Sequence, residues 1–426
     1  MTRLYQLFKA STGVSTDTRS IQKGNLFFAL SGTNFNGNQF AAKALEAGAS
    51  YAVIDDPQYA NEKTFLVENC LQSLQALATE HRKKLNTPII SLTGSNGKTT
   101  TKELIAKVLS YKYKIIATQG NLNNHIGVPL SLLQLKADTQ IAVIEMGANH
   151  QGEIAQLCSI AYPDYGYITN FGKAHLEGFG GVEGVIKGKS ELYQHLISKD
   201  KKIFINQDDP KQVELTQDYP NRISFGSALE SHYAIHKTTK NNFAQIKIDN
   251  EVIQTQLLGL YNAQNAAAAA AIGQYFEVPL HHIKEALSSY QPSNNRSQIT
   301  NHGSIKIIMD AYNANPTSML AALEEVSQLK ADQKTIILGD MFEVGPTWKK
   351  EHQAIVDTLK KQAYTNVFLC GKQFMQTDLP EHFHAVAETK ELIPVLSEKD
   401  FSEQLVFIKG SRGMALEQLL PYLKEQ

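Results

Sequence analysis

Lys98 is the residue whose setting most clearly suggests chemistry. It lies in "IISLTGSNGKTTTKEL" (89–104), between an apolar strand-like run and a helical pattern with Leu104, Ile105, Val108 and Leu109 on one face. A glycine-containing turn from strand to helix aims backbone N–H groups and the positive helix end at an anion. An ammonium there can neutralise the β- and γ-phosphates of a nucleotide, and the Thr99 hydroxyl can hold Mg²⁺. The candidate loop is Gly94, Ser95, Asn96, Gly97, Lys98, Thr99 and Thr100. It is shorter than the usual GxxxxGK[ST], because Leu92 stands where the first glycine should be. A plain βα turn capped by a threonine is the bland alternative. GKTT between this strand and this helix outweighs it. The metal needs a carboxylate as well, and Glu145 ends the apolar run "IAVIE", where ligands collect in open parallel sheets.

A second stretch, "VEGVIKGKSELYQHLI" (182–197), holds Lys187 and Lys189. Read as a helix, Val182, Val185, Ile186, Leu192 and Leu196 make one apolar face, and Lys189 falls on it. Lys187 shares the other side with Glu191 and Gln194. A lysine turned inward must be paired, neutral or modified, unless it snorkels to solvent. No serine or cysteine elbow or triad is visible.

These residues need a scaffold, and 426 residues are enough for two to four domains. Hydrophobic residues at 42% against 19% charged allow a sizeable core. Lys+Arg 41 against Asp+Glu 42 leaves a net charge of −1, which argues against nucleic acid or anionic lipid as the main partner. Cys70, Cys158 and Cys370 have no metal-ligand spacing and suit reduced thiols in a cytoplasmic protein. The N-terminus lacks the apolar segment of a signal peptide, and no apolar run approaches a membrane span, so no membrane insertion is expected.

Three α/β regions are expected. Residues 1–85 carry short strands, "NLFFAL", "YAVID" and "TFLVE", before a helix over 71–84. Residues 86–297 alternate strands ("PIISL", "KIIAT", "IAVIE", "YGYIT", "KKIFIN") with helical patterns, the rhythm of a parallel sheet. A hairpin turning at Asn250-Glu251 and an Ala-rich helix follow, then the polar linker "SSYQPSNNRS". Residues 298–426 repeat the βα rhythm through "IKIIMD", "TIILGD", "NVFLCG" and "LVFIKG", a Rossmann-like pattern.

"TGSNGKTTT" is similar to the shorter phosphate loop of the Mur ligase superfamily, which includes folylpolyglutamate synthases. Further stretches match that family in order: "DTRSIQKGNLFFALSGTNFNG" (17–37), "GNLNNHIGVPLSLL" (120–133), "EMGANHQGEI" (145–154), "TNFGKAHLEGFGG" (169–181), "KGKSELY" (187–193), "GLYNAQNAAAA" (259–269), "DAYNANPTSM" (310–319), "LGDMFEVG" (338–345) and "FIKGSRGM" (407–414). "DAYNANPTSM" and "KGSRGM" resemble the branch that attaches D-alanyl-D-alanine to UDP-N-acetylmuramoyl-tripeptide. Tyr261 departs from the pattern, since many relatives carry His there.

The resemblance implies a cytoplasmic, ATP-dependent amide ligase of peptidoglycan synthesis, working as a monomer through an acyl phosphate. It implies a UDP-substrate-binding region at 1–85, a central ATP-binding region at 86–297 and a Rossmann-like ligase region at 298–426. It gives Lys98 to the phosphates, Thr99 and Glu145 to one Mg²⁺, and His175 with a carbamylated Lys189 to a second. Lys189 is singled out by its spacing of 14 positions after His175. Asn262 and Asn265 would face adenine, and Arg296 and Asp310 would reach the nucleotide from the third region. Asn124, Asn313, Asn315, Lys409, Ser411 and Arg412 would handle the substrates' peptide and acid groups. Thr18 and Arg19 would meet the uridine diphosphate. The resemblance leaves open whether the tripeptide ends in diaminopimelate or lysine. Folylpolyglutamate synthase is the nearest rival, and a nucleotide switch is the rival from another class; no NKxD for guanine occurs.

Overall fold

The computed structural model describes residues 2–292 and 296–425. Three sheets follow one another along the chain. The first is a four-stranded parallel sheet of β1 (Val14–Ser15), β2 (Leu26–Phe28), β3 (Tyr51–Ile54) and β4 (Thr64–Leu66), in that spatial order. The short β1 and the helix Thr2–Ala10 were not foreseen: two residues of strand are too few for a hydrophobic pattern.

The central sheet has β5 (Ile89–Thr93), β6 (Ile115–Ala117), β7 (Ile141–Glu145), β8 (Tyr165–Ile168), β9 (Lys202–Asn206), β10 (Arg222–Gly226), β11 (Tyr233–Lys240), β12 (Phe243–Ile248) and β13 (Glu251–Leu258). Their order is β13-β12-β11-β10-β9-β8-β5-β7-β6. From β6 to β11 all pairings are parallel, and β11, β12 and β13 close the edge as antiparallel hairpins. Every residue of β5 and β7 is buried, as expected of strands covered by helices on both faces. The chain leaves β5 and returns to opposite sides of it as β7 and β8. That is a topological switch point, and the loops at the carboxyl ends of these three strands meet there.

The β12–β13 turn lies one residue earlier than the sequence suggested. Ile248 pairs with Glu251, so the turn residues are Asp249 and Asn250, and Asp249 adopts a φ of 51°. An aspartate tolerates that left-handed conformation better than most residues. The preceding hairpin, over Asn241 and Asn242 with φ values of 52° and 65°, was unread because β11 is largely polar.

The third sheet has β14 (Gln298–His302), β15 (Ile305–Asp310), β16 (Lys334–Gly339), β17 (Asn366–Cys370), β18 (His384–Val386) and β19 (Leu405–Lys409). The order is β14-β15-β19-β16-β17-β18, parallel except for β14. Cys70, Cys158 and Cys370 are free and buried. No helix among the described residues is long and apolar enough to cross a membrane.

The helix Cys70–Leu85 fastens the first sheet to the central one. Arg82, 5% exposed, donates from Nη2 to Asp164 Oδ2 at 2.6 Å and to the Tyr162 carbonyl at 3.1 Å, and from Nε to the Ala161 carbonyl at 3.2 Å. Removing one partner of a buried pair leaves the other's hydrogen-bonding groups unmatched. Arg82→Ala should therefore destabilise the chain by about 3 kcal/mol. The expected readout is a clearly lower urea midpoint, whereas an unchanged midpoint would show that Lys201, 2.8 Å from Asp164, suffices alone.

Candidate active site

One cavity of about 1030 Å³ lies at the switch point, between the central and third sheets. Its floor is the loop from β5 to the helix Lys98–Ser110. Two glycines allow the tight turn. Gly94 has a φ of +142°, and a Cβ there would lie 2.0 Å from Thr169 Oγ1. Gly97 has a φ of +78°, and a Cβ there would lie 2.6 Å from Asn265 Oδ1. Ser95 Oγ donates to the Gly172 carbonyl at 2.8 Å, tying this loop to the one after β8.

Lys98 opens the helix and folds back, its Nζ donating to the Gly94 carbonyl at 2.8 Å. Burial holds its ammonium below the usual lysine range; Arg296 pushes the same way and Glu145 opposes. Glu145, at the end of β7, is 1% exposed. Its Oε1 accepts from Thr99 Oγ1 at 3.2 Å and from Asn123 Nδ2 at 2.7 Å, while Oε2 has no partner. A buried, unmatched carboxylate oxygen beside a hydroxyl fits a hard cation that completes its shell with phosphate oxygens and water. Among the described residues there is no cluster of three or more His, Cys, Asp or Glu side chains, so a cation here would draw on such outside oxygens. Lys102 buttresses this carboxylate: its Nζ donates to the Thr118 carbonyl at 2.8 Å, and Thr118 Oγ1 accepts from the Glu145 N–H at 3.0 Å.

Of the two lysines in the helix Val182–Ser198, Lys189 is fully buried and Lys187 exposed, as the helical face suggested. Val182, by contrast, is 41% exposed and lies outside the apolar face, at the helix's first position. Lys189 Nζ donates to the Ala148 carbonyl at 3.0 Å and lies 4.7 Å from the centre of the Phe179 ring. Burial, with Lys98 adding repulsion, moves its pKa well below the usual lysine value, against the weaker pull of Glu153 and Glu191. His175 lines the cavity and takes a φ of 51°; its Nδ1 pairs with Glu343 from the third region.

The third region supplies the opposite wall. Arg296 lies 3.7 Å over the Tyr312 ring. Asp310, at the end of β15, accepts from Lys409 at the end of neighbouring β19 at 2.5 Å and from the Ser297 N–H at 3.2 Å. Asn313 and Asn315 also line the cavity. Asn315 caps the helix Pro316–Gln328, accepting from the Ser318 N–H, and donates from Nδ2 to Asn96 Oδ1 at 2.7 Å. Lys173 crosses the same gap to Glu351 at 2.7 Å.

The cavity therefore gathers Ser95, Asn96, Gly97, Lys98, Thr99, Thr100, Asn124, Glu145, His175, Asn262, Asn265, Arg296, Asp310, Asn313, Asn315 and Lys409. Asn262 and Asn265 use their amides internally: Asn262 donates to the Leu258 carbonyl, and Asn265 bridges Thr101 and Asn262. Asn124 Oδ1 accepts from the Ile126 and Gly127 N–H groups. Lys189, Ser411 and Arg412 lie outside the cavity lining: Lys189 reaches the carbonyl of the lining residue Ala148, Ser411 Oγ accepts from the Phe342 N–H, and Arg412 pairs with Glu417 at 2.7 Å. Thr18 and Arg19 are in the first region, where Arg19 forks onto Asp17 and its hydrogen bonds lower that carboxyl to about 2. Asn123, Asn170, Lys173 and Glu343 escaped the sequence reading. Asn123 and Asn170 stand in turn-rich stretches, where local turn chemistry explains an asparagine equally well, and Lys173 and Glu343 read in sequence as ordinary loop charges.

Three family models match the chain: "Mur ligase family, catalytic domain" over residues 11–85, "Mur ligase middle domain" over 92–273, and "Mur ligase, glutamate ligase domain" over 295–412. The UDP-N-acetylmuramoyl-tripeptide–D-alanyl-D-alanine ligase of Bacillus subtilis is 35% identical, over 97% of this chain and 93% of its own. A crystal structure of MurF from Acinetobacter baumannii superposes with a TM-score of 0.87 at 29% identity, covering 99% of this chain and 98% of that one. MurF ligase from Thermotoga maritima in complex with ADP gives a TM-score of 0.84 at 25% identity, covering 98% and 97%. With relatives matched from end to end and three successive domain models in register with three sheets, this chain belongs to the Mur ligase family.

Proposed function

We propose that this chain is an ATP-dependent amide ligase that joins D-alanyl-D-alanine to UDP-N-acetylmuramoyl-tripeptide, forming the pentapeptide precursor of peptidoglycan. The observation that carries the reading is the cavity itself. A phosphate loop and an unmatched buried carboxylate on one side face Asp310, Asn313, Asn315 and Lys409 on the other, in a chain 35% identical to a ligase of that name. The match of the first region to a Mur ligase model favours this reading over folylpolyglutamate synthesis, which has no need of a segment like "DTRSIQKGNLFFAL".

The chemistry is an acyl activation. A carboxylate oxygen of the tripeptide attacks the γ-phosphorus, the bond to the β,γ-bridging oxygen breaks, and ADP leaves. The amine of the dipeptide adds to the acyl phosphate carbon. The adduct collapses to the amide, expelling inorganic phosphate, and the amine loses its proton. Neither step needs an enzyme nucleophile; catalysis rests on alignment and fixed charge. Lys98 and the N-terminus of its helix hold the β- and γ-phosphates. Thr99 and Glu145 would hold Mg²⁺, which would supply positive charge to the phosphate oxygens. Arg296 and Asp310 close on the nucleoside from the third region, with Asn262 and Asn265 on the base-side wall behind Gly97. Asn124 and Asn313 orient the peptide groups, whereas Asn315, grouped with them on sequence, spends its Oδ1 on the Ser318 N–H and its Nδ2 on Asn96. Lys409 faces the acid groups, and Arg412 meets a substrate carboxylate only by exchanging Glu417 for it. Thr18 and Arg19 are assigned to the uridine diphosphate. Lys189 suits carbamylation: a buried lysine with a lowered pKa presents a neutral amine, which adds to CO₂ with loss of a proton to give an anion. That anion and His175 would serve a second Mg²⁺. Every residue invoked comes from one chain, so a monomer suffices.

A coupled assay tests this directly. ADP release should require the muramoyl tripeptide, D-alanyl-D-alanine and Mg²⁺ together, and steady hydrolysis of ATP alone would favour a nucleotide switch instead.

A further inference from the structure

We infer that Asn315 is a positioning residue for the phosphate loop, acting through Asn96, so that alignment of the nucleotide depends on the third region being docked. The inference deepens the ligase reading above and rests on it. Asn96 lies between Gly94 and Gly97, two residues with positive φ, in the most deformable part of the loop. Its backbone is held from within the central region. The N–H donates to Asn170 Oδ1 at 3.1 Å, and the carbonyl accepts from Thr169 Oγ1 at 2.6 Å and Asn170 Nδ2 at 3.0 Å.

The Asn96 side chain points the other way, and its Oδ1 accepts from Asn315 Nδ2 at 2.7 Å. Asn315 is 6% exposed and fixed in orientation, because its Oδ1 already accepts from the Ser318 N–H at 2.9 Å. A second contact beside it, from the Lys173 N–H to Thr317 Oγ1 at 2.9 Å, holds the same helix end against the loop after β8. One amide–amide bond thus links the cap of a third-region helix to the peptide planes that lead into the N–H groups of Lys98 and Thr99. Those first-turn N–H groups have no partner within the helix and are the ones a phosphate takes. Without the third region against the loop, Asn96 would lack its side-chain anchor, so the contact ties the loop that holds phosphate to the wall carrying Asn313 and Lys409.

The test separates capping from anchoring. Asn315→Ser keeps an oxygen that can cap the helix and deletes the amide donor. Asn96→Ala removes the acceptor and leaves the backbone bonds. Each single variant should melt within about 2 °C of wild type. Each should lower kcat about fivefold to tenfold with little change in KM for D-alanyl-D-alanine, and the double variant should be no slower than the slower single. The same non-additivity should appear in affinity for a non-hydrolysable ATP analogue, measured by calorimetry with no acyl or amine substrate. That arm decides the inference even where the ligation assignment fails. Effects that multiply in the double variant, or an Asn315→Ser kcat within twofold of wild type, would overturn it.

Discussion

Lys98→Ala should lower the ligation rate by about a thousandfold at saturating ATP, the scale on which loss of one fixed charge on a migrating phosphoryl group is felt. Lys98 begins the loop helix, and its ammonium rests on the loop's own carbonyls at Gly94 and Ser95 rather than on a carboxylate. Such a cation, bound only to neutral acceptors, is one an anionic ligand could draw away. A phosphate exchanges those neutral acceptors for charged oxygens, and the partly desolvated ammonium gains from the trade. Lys102, four residues on, cannot substitute, since it is buried and directed at the Thr118 carbonyl. The fold should survive, with a melting temperature within a few degrees of wild type, because the apolar face of the helix is untouched. Near-normal turnover in the variant would remove the phosphate-loop assignment.

Lys189→Ala should lower activity about a hundredfold, the upper range for losing a group that serves a metal site. The contrast with Lys187, two residues away, is the informative part. Lys187 is exposed and its replacement by alanine should leave kcat within twofold. Lys189 is fully buried, and no carboxylate accepts a hydrogen bond from it among the described residues. A charged ammonium is poorly accommodated there, which is why its pKa falls. If the side chain works as a carbamate, formate or acetate should restore part of the Lys189→Ala activity, and the Mg²⁺ concentration for half-maximal rate should rise in the variant. Lys189→Met, which keeps most of the volume, should be as inactive as Lys189→Ala. A methionine variant with full activity would reduce Lys189 to a packing residue.

The parts of this site that the sequence discloses are those where one residue type has few other uses. Lys98 could be read after a strand carrying Ile89, Ile90 and Leu92, as could Glu145 at the end of "IAVIE", because strands buried on both faces are rich in apolar residues. Lys189 could be chosen over Lys187 by helical periodicity alone. Turn placement and edge strands were harder. β14 and β18 are short or polar, and the Asp249-Asn250 turn is displaced by one residue in a stretch where Asp, Asn and Glu are consecutive. Contacts across regions were not legible at all. Nothing local to Asn96 announces Asn315, and nothing near His175 announces Glu343, since these pairs are made by the way whole sheets meet.

The proposed ligation requires that the tripeptide carboxylate be activated by direct phosphorylation in this cavity. Incubating the enzyme with ATP, Mg²⁺, D-alanyl-D-alanine and a muramoyl tripeptide carrying ¹⁸O in its terminal carboxylate tests that step most directly, with diaminopimelate- and lysine-ended tripeptides run in parallel. The expected products are a UDP-muramoyl-pentapeptide from at least one of them, one ADP for each amide formed, and one ¹⁸O delivered to each inorganic phosphate. Unlabelled phosphate, or ADP formed with no pentapeptide from either tripeptide, would contradict it.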